Sequence, residues 1–443
     1  MPTRLHMLLS KNWWVHMLTS NRVILVNALS LVGTLVVTSG LGFAYWWVVA
    51  RQFTATEAGL AAAAVSAMLL LGTIGMMGMG TLLIGELRRR SQIVVSLITT
   101  ALVIAGVASL VLGAGFAIIV SHLSADFALL TTSWGNFLLF TAGVAITSMV
   151  LVLDQAMLGL LHGSWQLWRN AVFAISKLIL LVPIGYYFRS AGAMAIYAAW
   201  FAGNILSLLF LVWLVGKRRL LTANFRLRWD VFRELRGMAL AHHILNLSLQ
   251  TVQFAMPVIV TVMLSPEINA SFYVAWLVAS SLFIVPTSLT QALYAISSAD
   301  ASMLAQKIRF TLRASLIGVV AAGLVIMVGA EFMLSFFDPS YGETAALSLR
   351  ILLLAALPII IRVHYVAIRQ IRRELKQAAA LFLAAAGLEL SLAIVGAAVG
   401  GLTGLSFGWV LAIYLEGIWM APTVYRVAMQ ARNVPAITKE TVQ

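Results

Sequence analysis

Apolar residues run along this chain in long blocks, parted by short polar breaks. Twelve blocks are long enough to cross a membrane, at roughly 23–50, 58–84, 93–121, 137–161, 166–188, 192–216, 238–264, 270–296, 311–335, 345–368, 377–399 and 404–426. A hydrocarbon core of about 30 Å asks for about 20 residues per helical span. A spanning segment must satisfy its own backbone hydrogen bonds, so these blocks predict helices. A transmembrane barrel would read as alternating segments of about 10 residues, and the chain has none. The expectation is an all-α integral membrane protein with twelve transmembrane helices in two six-helix bundles.

Polar positions inside the blocks are patterned too. The first block carries Asn27, Ser30, Thr34 and Thr38, and the seventh carries His243, Asn246, Gln250 and Gln253. Spacings of three and four put each set on one helical face. Polar faces turned to lipid are costly, so each stripe is expected to face protein or water. Ordinary interhelical hydrogen bonding would account for them, as would a hydrated cavity between the two halves.

Composition agrees with lipid as the main solvent. The 443 residues are 62% hydrophobic and 10% charged, more apolar than a wetted surface allows. The absence of cysteine excludes disulfides and thiolate metal sites. The net charge of +14 raises nucleic acid as a partner, but the basic residues share no soluble face. Arg4, Lys11 and Arg22 precede the first span, and Arg88, Arg89 and Arg90 follow the second. Arg169 follows the fourth, and Lys217 to Arg236 carry seven basic residues after the sixth. Lys307, Arg309 and Arg313 follow the eighth, Arg369 to Lys376 the tenth, and Arg426, Arg432 and Lys439 the twelfth. Only Arg51 and Arg189 fall in loops of the other side. Positive charge gathers on the cytoplasmic side, which predicts cytoplasmic termini, a multi-pass inner-membrane location and anionic lipids as partners, with no nucleic acid.

Residues 1–21 lack the long apolar core of a signal peptide and predict a cytoplasmic amphipathic segment. The expected organisation is therefore 1–21, a six-helix lobe at 22–216, a basic cytoplasmic linker at 217–237, a second lobe at 238–426 and a tail at 427–443. The lobes share one orientation, as parallel repeats do.

Charges inside spans are functional candidates. Lys177, Arg350 and Arg362 could make a cavity electropositive and hold an anionic phosphate. Glu389, Glu416 and Asp154 could carry a coupling ion, proton or sodium. Mutual pairing, Asp154 with Lys177 and each glutamate with an arginine, would instead offset the cost of burial. Gly72, Gly75, Gly78 and Gly80 imitate a nucleotide loop but lie in an apolar span without a preceding strand, where close helix packing explains them better. Pro183, Pro257, Pro286, Pro358 and Pro422 are placed to shape helices. No metal-binding, cofactor-binding or catalytic constellation appears in the sequence, so no cofactor and no enzymatic activity are expected.

The first break reads GFAYWWVVARQFTATEAGL, from Gly42 to Leu60. Tyr45, Trp46 and Trp47 are expected at the outer headgroup level. Thr54 and Glu57 have capping-box spacing, which closes the first two helices into a tight outer hairpin. Ala50-Arg51-x-Phe53 followed by Gly59 resembles the first hairpin of polysaccharide flippases of the multidrug/oligosaccharidyl-lipid/polysaccharide (MOP) exporter superfamily. Chain length, span count and the six-plus-six division are similar as well. The resemblance implies a MATE-like pair of bundles around a cavity opened alternately to each side. It implies a polyprenyl-pyrophosphate-linked oligosaccharide as cargo and cationic cavity residues against its pyrophosphate. Polysaccharide polymerases or glycosyltransferases would be functional partners.

A multidrug/cation antiporter of the same superfamily is the alternative. The major facilitator class also divides six plus six, but its loop between spans two and three differs from GELRRRSQ here. A membrane glycosyltransferase would need acidic groups on outer loops, and Asp126, Glu267, Asp338 and Glu343 are few and scattered.

Overall fold

A computed structural model of the chain describes residues 39–217, 227–297, 304–372 and 374–429. Among these residues the regular elements are helices: α1 (39–52), α2 (Ala55–Gly75), α3 (Met79–Arg89), α4 (Val94–Leu123), α5 (Trp134–Gly159), α6 (Gly163–Tyr187), α7 (Ala193–Lys217), α8 (Trp229–Met263), α9 (Pro266–Ser297), α10 (Leu304–Ser335), α11 (Pro339–Leu354), α12 (Ala356–Ile371) and α13 (Leu375–Met429). The chain forms two compact units. Of the described residues, the first holds 39–48, 71–115, 137–217 and 227–236, and the second holds 49–70, 116–136, 237–297, 304–372 and 374–429.

Among the described residues, nine helices are long and apolar enough to cross a membrane, or ten when the bent pair α11–α12 is one span. One of the nine is a 51-residue stretch of α13, which folds back at Gly400 and Gly401 and so supplies two limbs. Gly401 has φ of 57° and ψ of −141°, a region nearly closed to residues with a Cβ. Of the first expected span, 39–50 is helical and the rest lies outside the described residues. Side chains such as Val111, Val328, Phe332 and Val399 stand largely exposed on these helices, where lipid is the solvent that suits them.

Two expected spans are broken. The second parts into α2 and α3 at Met77 and Gly78, whose φ values are 46° and 75°. The tenth parts at Ala355, between helices inclined by 43°. Pro358 explains that break: it has no N–H to give the Leu354 carbonyl, and its ring would press on that carbonyl. The Tyr414 hydroxyl donates to the Leu354 carbonyl at 3.2 Å, replacing the missing backbone partner.

The start of α2 is capped as its spacing predicts. Thr54 N–H donates to Glu57 Oε2 at 2.9 Å, and Glu57 N–H donates to Thr54 Oγ1 at 3.2 Å. Both orphan donors at the start of α2 are thereby satisfied. The aromatic run departs from expectation. Tyr45 and Trp46 are buried in protein, and only Trp47 is exposed. Tyr45 donates its hydroxyl to the Ile196 carbonyl at 2.7 Å, so this ring is an interior packing element. Phe53 is buried, and Arg51 donates to the Phe336 carbonyl at 3.0 Å.

Close packing is the role of the Gly72–Gly80 run. A Cβ at Gly72 would lie 3.1 Å from the Thr147 methyl, and one at Gly80 would lie 2.8 Å from Gln155 Cγ. In the second unit, Tyr365, Ile368, Phe382, Met420 and Val424 build a core from α12 and both limbs of α13.

Candidate functional site

The intramembrane charges fall into separate clusters. In the first unit, Asp154 on α5 meets Arg169 on α6. Arg169 Nε and Nη2 donate to Asp154 Oδ1 and Oδ2, each at 2.8 Å. Nη2 also reaches Asn170 Oδ1 at 2.6 Å, and Nη1 reaches Ser207 at 3.3 Å. The sequence placed Arg169 in a cytoplasmic connection, which is corrected here, and Asp154 finds Arg169 where mutual pairing would have given it Lys177. Arg169 is 2% exposed and belongs to α6. A planar guanidinium matches both oxygens of a carboxylate, which an ammonium cannot do.

Lys177 lies further along α6, 4% exposed. Its Nζ is 3.5 Å from the centroid of Trp200, 4.8 Å from Phe173 and 4.9 Å from Tyr45. Aromatic faces are negative, so three of them form a box that suits a cation without a carboxylate. Gly203 allows α6 and α7 to approach, since a Cβ there would lie 2.9 Å from Lys177 Cβ.

In the second unit, one arginine serves both glutamates. Arg362 Nη1 on α12 donates to Glu389 Oε1 at 2.8 Å, and it lies 3.5 Å from Glu416 Oε2. Trp409 Nε1 donates to Glu389 Oε2 at 2.7 Å. Neither Glu416 oxygen has a hydrogen-bond partner, although the residue is buried. Each glutamate thus has an arginine opposite it, as mutual pairing would give, but it is the same one; Arg350 turns away, its Nε donating to the Met327 carbonyl at 3.2 Å.

Glycines bring this second cluster together. Within α13, Cβ atoms at Gly396 and Gly408 would overlap the carbonyl oxygens of Gly404 and Leu392. Only glycine there lets the limbs approach closely enough for Trp409 to reach Glu389. A Cβ at Gly417 would lie 2.7 Å from Pro358 Cβ, so α12 sits close beside Glu416.

The expected stripe on α8 is graded. His243 is buried, Asn246 and Gln250 are half-buried, and Gln253 is exposed. Asn27 lies outside the described residues. Sequence reasoning missed Trp409 and the Tyr45–Phe173–Trp200 box, because aromatic residues in apolar spans carry no periodic signal. The glycine spacing at 396, 400, 404 and 408 was the available clue to Trp409. Among the described residues, no group of three or more His, Cys, Asp or Glu comes together to hold a metal.

No family model matches the sequence, and no curated protein matches it. Solved structures do match in fold. One is the inward-facing conformation of a multidrug resistance MATE family transporter of the MOP superfamily, with a TM-score of 0.66 and 15% identity over 90% of this chain and 96% of that chain. An outward-facing conformation of a transporter of the same description gives 0.55 and 14% over 91% and 96%. A MOP superfamily transporter from Pyrococcus furiosus, described as having a reversed-polarity binding pocket, gives 0.60 and 14% over 92% and 96%. The chain thus folds as the MATE transporters of the MOP superfamily do.

Proposed function

We propose that this protein is a flippase. It moves a polyprenyl-pyrophosphate-linked oligosaccharide from the cytoplasmic to the outer leaflet of a bacterial inner membrane, for surface polysaccharide synthesis. The six-helix halves at 22–216 and 238–426 alternate access, joined by the basic linker at 217–237, with both termini cytoplasmic. The similar fold of proteins captured inward- and outward-facing supports alternation.

The observation that carries the cargo assignment is the first hairpin. Its resemblance to polysaccharide flippases rests on Ala50, Arg51, Phe53 and Gly59, and these residues do structural work there. Arg51 holds the Phe336 carbonyl, Phe53 is buried, and Gly59 permits backbone contact with Pro266. The cargo also suits the physics. A charged sugar headgroup cannot cross hydrocarbon unaided, while its lipid tail can remain in the bilayer. Gln253, exposed on an apolar span, supports a wet surface along α8.

A second reading, an ion-coupled multidrug antiporter, is favoured by the multidrug description of the structurally similar MATE transporter. Proteoliposomes loaded with a fluorescent polyprenyl-pyrophosphate oligosaccharide separate the two. The flippase reading expects label in the inner leaflet to become accessible to a membrane-impermeant quencher. Unchanged accessibility, together with efflux of a lipophilic cation, would overturn it in favour of the antiporter.

A further inference from the structure

Three aromatic rings in the first unit enclose one cation. Tyr45 comes from α1, Phe173 from α6 and Trp200 from α7. Trp200 stands between the other two, its ring centroid 5.5 Å from Tyr45 at 84° and 5.5 Å from Phe173 at 70°. Such edge-to-face pairs are favourable in themselves. Tyr45 also meets Trp46 at 5.6 Å and 85°, and its hydroxyl donates to the Ile196 carbonyl at 2.7 Å. The walls fix one another, so the box does not need its occupant to keep its shape.

The occupant is Lys177. Its Nζ lies 3.5 Å from the Trp200 centroid, and the residue is buried. Among the described residues no carboxylate pairs with it, because both oxygens of Asp154 are taken by Arg169. An ammonium without a counter-ion is costly to take out of water. A neutral chain of similar volume commonly replaces a buried charge without loss, and methionine packs well against aromatic rings. Stability alone therefore does not call for lysine here. A positive charge adds what a neutral chain lacks, repulsion of a second cation, and rejection of a wrong ligand often needs a repulsive element. Aromatic boxes attract organic cations, so one filled by a neutral chain would admit them whenever that chain swings aside.

The side chain itself defines the class of cation. Lys177 Cβ lies against Gly203 on α7, where a Cβ would come within 2.9 Å of it. Beyond Cβ the side chain has the size and charge of a propylammonium ion. The box therefore suits small alkylammonium and quaternary ammonium ions.

We propose that this box is an organic-cation site filled by the protein's own Lys177, which keeps cationic substrates out of the first unit. The use of such exclusion rests on the anionic cargo of the flippase reading, whereas occupation of the box does not.

The experiment uses the full chain in nanodiscs of a zwitterionic lipid and titrates propylammonium by calorimetry. The native protein is expected to show no saturable binding, and Lys177→Ala to bind. Adding Trp200→Ala is expected to weaken that binding about thirtyfold, as loss of a desolvated cation–π contact would. A folded Lys177→Ala protein without binding would overturn the site, as would native protein that binds equally well. Lys177→Met, the second variant, is expected to melt no lower than native protein. A clearly lower melting temperature would mean that the ammonium is there for stability, and would overturn the exclusion. In proteoliposomes, uptake of tetramethylammonium is expected of Lys177→Ala and not of the native protein, and equal uptake by both would overturn the exclusion as well. Native protein that takes up no tetramethylammonium and exposes no oligosaccharide keeps the role of Lys177 and loses the cargo assignment. Native protein that does both does the reverse.

Discussion

Asn269 donates its side-chain amide to the main-chain carbonyl of Gly59 at 2.8 Å, tying the start of α9 to the first turns of α2. Thr56 adds a hydroxyl bond to Glu267 at 2.5 Å. The helices approach so closely that a Cβ at position 59 would overlap the Pro266 carbonyl oxygen. Gly59→Ala is therefore expected to destabilise the protein by about 1–3 kcal/mol, the usual cost of overpacking. Gly42→Ala is the internal control, because nothing lies within 4 Å of a Cβ there. Thermal melting of both variants in detergent checks this, and equal melting temperatures would defeat it.

Breaking the Asp154–Arg169 pair should be severe. Removing one partner of a buried ion pair strands the other, at a cost of about 3–5 kcal/mol. Arg169→Ala is expected to lower folded yield sharply, and Arg169→Lys to recover little of it, since lysine cannot bond both oxygens. Full recovery by lysine, measured as monodisperse protein after solubilisation, would show that bidentate geometry is unimportant there.

Lys177 should be chemically silent while its box is intact. An amine-reactive reagent is expected to leave it unmodified in native protein and to modify it in Trp200→Ala, which removes the ring 3.5 Å from Nζ. Loss of a desolvated cation–π contact costs about 2 kcal/mol. Mass spectrometry of the peptide containing residue 177 gives the answer, and equal labelling in both proteins would refute a closed box.

Pro358→Ala restores the N–H that the Leu354 carbonyl lacks, so the 43° bend between α11 and α12 should relax. Spin labels at Leu347 and Arg372 are expected to move apart, and Arg362 to draw away from the glutamates. An unchanged label distance would mean that the bend is held by packing alone.

Much of this fold was legible because a membrane span must be long, apolar and helical. The expected span at 137–161 corresponds to α5 and that at 192–216 to α7 within a few residues. Thr54 and Glu57 announced their cap by spacing alone. The pairing of charges was less legible, because depth along a helix does not say which neighbour lies opposite. Arg169 looked like loop charge, being close to the GLLHG break at 159–163, yet helical rotation turns it inward onto Asp154. The break at Ala355 was implicit in Pro358, but its angle depends on Tyr414 and Gly417 more than fifty residues away.

The fold-back of α13 at Gly400 and Gly401 also bears on how the protein is made. Glu389 lies on the first limb, while the indole that satisfies its second oxygen, Trp409, comes twenty residues later. The first oxygen of Glu389 is met by Arg362 on α12, which is already made when the limb emerges. The second oxygen lacks its donor until the ribosome has delivered Trp409, and an unsatisfied buried acceptor is costly, which favours release of both limbs from the translocon as a single hairpin.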